Sequence, residues 1–374
     1  MEPSVSTVLD VSPRGLGTHT TLASVLEKHR GERHIIVLQD YPDPDAIASA
    51  MAHRLISAKF DISGDIVYGG QISHQQNRAL VKIFNVPMIA AKDDLDLTVY
   101  QGSVFVDGQG TSSVLTAKLQ SARVPPIVVI DHHERQEQMP AAKFVDLRHA
   151  GATSTIYADY LQQGIVELDR NRREHVVVAT ALMHGIMTDT AQFVRASEED
   201  FAAAAFLSRY HDPANLLDIM KQARSRQTMD TIQRALQNRI LRENFSIAGI
   251  GDVRAADRDA IPQAADFLLT EENVHTAIVY GLIVGEQDGQ RTETVIGSLR
   301  TTKLTLDPDQ FIKEAFGRNP AGQFFGGGRS EAGGFEIPLG FLVGGGAEEY
   351  EKLKWQVYDM QIKQRLFSQI GVKN

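Results

Sequence analysis

The chain has 374 residues, 43% of them apolar, with 38 Lys and Arg against 47 Asp and Glu and a net charge of −9 at pH 7. That length holds two domains with separate cores, no apolar run reaches membrane-spanning length, and the acidic balance argues against general affinity for long nucleic acid, which needs clustered Lys and Arg. Zero cysteines exclude disulfides and thiolate metal sites, leaving carboxylate and imidazole ligands, which suit Mn or Mg better than Fe or Zn.

The start, MEPSVSTVLD, lacks the basic-then-apolar layout of a signal peptide, and a cytoplasmic location is expected. Residues 18–30 read as a helix with Leu22, Val25 and Leu26 on one face, ended by Gly31. The strand IIVL then runs into QDYPDPDAIAS, residues 39–49, where Asp43 and Asp45 alternate on a strand-to-loop exit and point different ways. A helix over Ala46 to Ala58 packs through Ile47, Met51 and Leu55; Ser49 reads either as support for the acidic loop or as a small helix-surface residue. GDIVYGG and SVFVDG read as strands around the helix-like ISHQQNRALVKIF, and Tyr68, His74 and Asn77 fall in what reads as an exposed connection.

Asp107 follows VFV, Asp131, His132 and His133 follow IVVI, and VVVATALMHGIMTDTAQF is a helix running into Asp189. Short, nearly continuous apolar runs ending in acid read as buried parallel strands, and α/β proteins bind ligands at the carboxyl ends of such strands. Carboxylates gathered there repel and resist ionisation unless a cation offsets them, so a divalent metal cluster is expected. Of the paired histidines one offers a neutral imidazole to a metal, and the other, pointing away, reaches a phosphate oxygen or a leaving group.

Residues 200–243 have the amphipathic spacing of a helical connector, with Arg224 and Arg226 read as a solvated face in preference to phosphate contacts. From Phe245 a second domain begins, with FSIAGIG, HTAIVYGLIV and TVIGSLR as strands and IPQAADFLLT as a helix. In FGGGRSEAGGFEIP the glycines 326–328 let backbone N–H groups approach an anion closely. Arg300 and Arg329 are the matching phosphate holders, since a guanidinium bonds two oxygens at once. The C-terminal stretch reads as a helix with two apolar stripes, Leu353, Val357, Met360 and Phe367 against Trp355, Tyr358, Ile362 and Leu366; one stripe would serve a homodimer if it is not covered internally.

The four acidic stretches, in this order, resemble the four motifs of the DHH phosphoesterase superfamily. Ser298-Leu299-Arg300 and the glycine run resemble the domain associated with it, in the manner of nanoRNase and pAp phosphatase proteins. The resemblance implies an α/β fold: a parallel-sheet DHH domain (1–212), a helical connector (213–244), a smaller α/β substrate-binding domain (245–345) and a C-terminal helix (346–374), with the site in the cleft between the domains. It implies two Mn2+ ions, with Mg2+ as a substitute. Asp43, Asp107 and Gln39 would hold one ion and Asp45, Asp107, His132 and Asp189 the other, Asp107 bridging. Asp107 and His133 are then the catalytic pair, and His133, Ser298, Gly327, Gly328, Arg300 and Arg329 hold the substrate phosphate. Gly151, Ser154 and Thr155 would bring a helix N-terminus near the site, and Gly185 matches the family pattern.

The implied activity is hydrolysis of short linear oligoribonucleotides, dinucleotides included, and of pAp, to mononucleotides. Cyclic dinucleotides come second and inorganic pyrophosphate third, because the lysine-rich phosphate signature of the pyrophosphatases is missing. Two departures stand out: Gln39 occupies the place of a metal-binding histidine, and Arg329 that of a second histidine. If Gln39 abolishes one metal site, the reading of another class is a nucleotide-binding sensor.

Overall fold

The structure, a computed structural model, describes residues 18–371 apart from 73–74, 93–94, 112, 222–223, 288–289, 330, 341–342 and 345–347. His74 therefore lies outside the described residues. The chain divides between residues 223 and 224 into two compact units.

The first unit alternates strand and helix: α1 (Thr18–Glu27), β1 (Arg33–Val37), α2 (Pro44–Lys59), β2 (Ser63–Tyr68), α3 (Gln75–Phe84), β3 (Met88–Ala90), β4 (Gly102–Val106), α4 (Val114–Ser121), β5 (Pro126–Asp131) and β6 (Phe144–Leu147). Four helices follow: α5 (Thr153–Gln162), α6 (Arg173–Asp189), α7 (Glu198–Leu207) and α8 (Pro213–Met220). The six strands are all parallel, in the order β3-β2-β1-β4-β5-β6. Successive residues feed opposite faces: Ile36, Val104, Val128 and Ile130 enter one apolar cluster, and Ile35, Val37, Phe105 and Val129 another. Both faces being covered explains why these strands read as continuous apolar runs.

Strand order reverses direction between β1 and β4, so the connections leaving their carboxyl ends diverge and open a crevice there. The acids after β1, β4 and β5 border that crevice. One local expectation is corrected. Asp43 and Asp45 do not both lie on an extended exit: Asp43, extended, is the N-cap of α2, its carboxylate accepting the Ala46 N–H at 2.9 Å, and Pro44 starts the helix, which places Asp45 in the first turn. Ser49 is fully buried rather than on the helix surface. Asn77 is no exposed connector either, being buried in α3 with its amide donating to the Pro42 carbonyl.

The second unit contains α9 (Arg226–Asn238), β7 (Ile240–Arg242), β8 (Phe245–Arg254), α10 (Ala260–Leu268), β9 (Thr276–Gln287), β10 (Gln290–Thr301), α11 (Pro308–Phe316), β11 (Gly326–Arg329), β12 (Ala332–Pro338) and α12 (Glu348–Ile370). Its sheet runs β11-β12-β10-β9-β8-β7, with β8 and β9 parallel and the other pairs antiparallel. The glycine run, expected as a turn, forms β11 and the start of β12, paired Gly326 with Phe335 and Gly328 with Gly333. The cause is α11. A Cβ at Gly333 would stand 2.4 Å from Ile312 Cδ1, and one at Gly328 2.8 Å from Pro308 Cβ, so only a strand without side chains lies this close to the helix. The stretch 213–244 holds α8, α9 and β7, with the division between units inside it. The α/β architecture of two domains is the one expected. No helix among the described residues is long and apolar enough to cross a membrane.

Candidate metal centre

Five carboxylates and two histidines meet at the carboxyl edge of the first sheet. Ligand atoms of Asp45, His132 and Asp189 lie within 4.8 Å of one another, as do those of Asp107, Asp131, His132 and His133. Asp107 continues the β4 ladder, its N–H donating to Ile130 O, and takes a positive φ of 52° that turns the chain out of the sheet. An acid tolerates that conformation better than a branched side chain does.

The acids differ in what offsets them. Both oxygens of buried Asp45 accept backbone N–H groups of the first turn of α5, from Thr153 and Ser154, each at 2.7 Å. The residue before that helix, Ala152, has no side-chain cap to give, so Asp45 caps α5 from 108 residues away. The N-terminus of α5 thus lies at the site as expected, with Thr153 and Ser154 holding a protein carboxylate, while Gly151 N–H and Thr155 Oγ1 donate to Asp200. Asp131 accepts from His133 Nδ1 at 2.8 Å and from Gln109 Nε2 at 2.9 Å, which keep its pKa below the usual carboxylate value against the effect of burial.

Asp43 accepts the Ala46 N–H and the Gln39 amide, and Asp107 the Thr153 hydroxyl, but these donors do not offset the burial. Burial and the neighbouring acid Asp45 raise Asp43, Asp107 and Asp189, the last to about 9. Burial and mutual repulsion disfavour the charged form of these groups, and a dication would offset both effects. His132 Nδ1 donates to the Ala150 carbonyl at 3.0 Å, which leaves Nε2 as the bare nitrogen. That Nε2 stands 3.5 Å from Asp189 Oδ2 and 3.7 Å from Asp107 Oδ1, too far for hydrogen bonds, and neither it nor Asp107 Oδ2 has a hydrogen-bond partner among the described residues. A bare imidazole nitrogen facing under-compensated carboxylates fits a divalent metal. Gln39 lies at the rim with its amide donating to Asp43 Oδ2 at 3.3 Å. His133, half-exposed, is tied to Asp131 through Nδ1, so its other nitrogen is the one turned to solvent or substrate.

Three supporting residues escaped the sequence. Thr153 Oγ1 donates to Asp107 at 2.9 Å. Gln109, fully buried, bridges Asp131, the Glu134 carbonyl and the Gln136 N–H. Asp200 closes a capping box with Ser197 while holding Gly151 and Thr155. The Ser-x-x-Asp spacing at 197–200 was the visible signal for the cap; nothing local announced the tertiary bonds.

In the second unit Arg300, Gly327, Gly328, Ala332, Gly333 and Gly334 line a cavity of about 340 Å3. Arg300 is held by Asp266 at 2.8 Å and donates to Ser298 Oγ at 2.7 Å. The Gly328 N–H, expected to be open to an anion, is taken by the Asp309 carboxylate at 3.1 Å. The side chain of Arg329 lies outside the described residues. A cavity of about 770 Å3 in the first unit is lined by the C-terminal half of α2 and the start of α6, at the ends of those helices remote from Asp45 and Asp189.

Residues 34–186 match the family model described as DHH family, N-terminal domain. An uncharacterized protein of Methanocaldococcus jannaschii is 34% identical over 355 residues, 93% of this chain and 67% of that protein. The cyclic-di-AMP phosphodiesterase GdpP of Bacillus subtilis is 28% identical over 264 residues, 65% of this chain and 38% of its own length. The fold is shared with an exopolyphosphatase-related protein from Bacteroides fragilis, with a TM-score of 0.64 at 14% identity, covering 92% of this chain and 97% of that one. With its domain match set in the parallel sheet that carries the acids, and a relative matched along nearly its whole length, the chain belongs to the DHH family.

Proposed function

We propose that the protein is a metal-dependent phosphodiesterase that hydrolyses dinucleotide-sized substrates, short linear oligoribonucleotides first among them, to mononucleotides. The observation that carries this reading is His132 Nε2 set 3.7 Å from Asp107 and 3.5 Å from Asp189 without a hydrogen bond to either, an arrangement that suits a shared cation. Asp43, Asp45, Asp107, His132 and Asp189 would hold a pair of ions, Mn2+ by preference, with Gln39 at the rim. When bound, the metal makes water acidic enough to attack phosphorus near neutral pH and offsets charge on the phosphate. Asp45, fixed by two N–H donors, keeps its place through the reaction, and Asp131 orients His133 toward the substrate. Arg300, held by Asp266 and Ser298, is the phosphate holder of the second unit.

A second reading, cleavage of cyclic dinucleotides, is favoured by the similarity to a protein named as a cyclic-di-AMP phosphodiesterase. The test is hydrolysis of pGpG, pApA, longer oligoribonucleotides, pAp, cyclic di-AMP and pyrophosphate with manganese and with magnesium. Linear dinucleotides turning over fastest supports the first reading, turnover of the cyclic compound alone supports the second, and binding of nucleotide with no turnover of any compound defeats both.

A further inference from the structure

Directly after Asp189 the backbone enters a conformation that L-residues seldom share with their neighbours. Ala191, Gln192 and Phe193 have φ of 51°, 58° and 68°: three consecutive residues with side chains in the left-handed region, which such residues otherwise visit singly. Strain of this kind persists only where surrounding structure imposes it, and it gathers at functional sites.

One threonine and one aromatic pair impose it here. Thr190 Oγ1 donates to the Ile186 carbonyl at 2.6 Å and accepts the Phe193 N–H at 3.1 Å. The Gln192 N–H reaches Met187 O, and the Arg195 N–H reaches Thr190 O at 2.9 Å. Phe193 packs on the main core and stacks on Phe201 of α7, ring centroids 5.5 Å apart.

The result is positional. Had α6 continued, residue 195 would stand about 9 Å beyond Asp189 along the helix axis. The left-handed turn folds the chain back instead, so the Arg195 backbone bonds to the carbonyl of the residue next to Asp189. The turn thus keeps Arg195 beside the helix end that carries Asp189. Among the site residues described above in the first unit, every other ionisable side chain is an acid or a histidine.

We propose that Arg195 is a phosphate-contacting residue of the first unit, held beside Asp189 by the left-handed turn so that its guanidinium meets non-bridging oxygens of the scissile phosphate. A guanidinium offers two N–H donors in a fixed fork to two oxygens, which a lysine cannot copy. This inference rests on the phosphodiesterase reading and adds to it the recognition of the phosphate by the same unit that holds the metal.

Arg195 is exposed, so its replacement leaves the core untouched. The experiment compares wild type, Arg195→Met and Arg195→Lys for binding of inorganic phosphate and of AMP to manganese-loaded protein by calorimetry, beside manganese affinity and dinucleotide turnover. Loss of phosphate and AMP affinity by about tenfold or more in Arg195→Met, partial recovery in Arg195→Lys, and manganese affinity unchanged or tighter is the expected result. Phosphate affinity unchanged while manganese affinity shifts would mean that Arg195 only balances Asp189, and the proposal falls. If wild type cleaves no dinucleotide, the functional reading fails by itself, and the phosphate arm still decides the role of Arg195. Wild type that loads manganese yet binds neither phosphate nor AMP overturns the proposal outright.

Discussion

Asp45 is better compensated than Asp107: two N–H donors reach the first, while the second has one hydroxyl and one oxygen with no hydrogen bond among the described residues. Asp107→Ala is expected to lower dinucleotide turnover by about a thousandfold or more, with circular dichroism unchanged and with metal-free thermal stability no lower, because a repelling carboxylate is gone; turnover near wild type would refute the bridging assignment. A second titration is independent of metal. His53 is fully buried, shares a 3.0 Å hydrogen bond with Tyr157, and burial, with a smaller effect of His34, holds its pKa at about 3 against an ordinary 6.5. The unfolded chain takes up this proton first, so the stability His53 contributes is complete above pH 6.5 and is lost as pH falls toward 3. Urea midpoints measured from pH 7.5 to 4 should decline less steeply in His53→Gln than in wild type; parallel declines would exclude His53 as a source. The acids themselves were legible in the sequence because Asp107 and Asp131 end apolar runs, Asp43 and Asp45 come shortly after one, and Asp189 closes an apolar helix. Thr153, Gln109 and Asp200 were not, since their partners lie 46, 22 and 49 residues away and no periodicity encodes a tertiary hydrogen bond.

At the level of elements, the contact of α6 with α5 and α2 decides whether the centre closes. A Cβ on Gly185 would stand 2.4 Å from Ser154 Oγ and 3.1 Å from Asp45 Cα. Gly185→Ala should therefore cost about 1–3 kcal/mol by overpacking and weaken manganese binding by shifting Asp45 off its two donors, which urea denaturation and metal titration would read separately; an unchanged metal affinity would show that the helices adjust without moving the acid. The central strands β1, β4 and β5 were readable because they are apolar on both faces. The edge strands β3 and β6 were not: they have three and four residues and alternate or expose their side chains, so little apolar signal sets them apart from loop. The glycine run failed in the opposite sense. Its composition is that of a turn, and only the closeness of α11, invisible in the local sequence, makes it a strand.

On the scale of the whole molecule, the division inside 213–244 was hidden because α8 and α9 are both amphipathic and differ only in what they cover. Leu216 and Ile219 join the first unit's core, and Ile232 and Ala235 the second's. All candidate metal ligands belong to the first unit, so calorimetry should show two transitions of which manganese raises one. At a hundredfold excess over its dissociation constant the ion would add about 2.7 kcal/mol to that unit, and a shift of both transitions together would contradict the assignment. The strand order also governs when the metal can be captured during synthesis. Asp43 leaves the ribosome 146 residues before Asp189 (189 − 43), roughly 7–30 s at about 5–20 residues per second. His132 emerges 89 residues after Asp43 and the α5 donors Thr153 and Ser154 emerge 110 and 111 residues after it, so until then the leading aspartates stand without them, and a cation that meets them is free to leave again. Metal loading is therefore a late event in the life of the nascent chain, and a shortage of the metal would be felt by finished protein rather than by protein still being made.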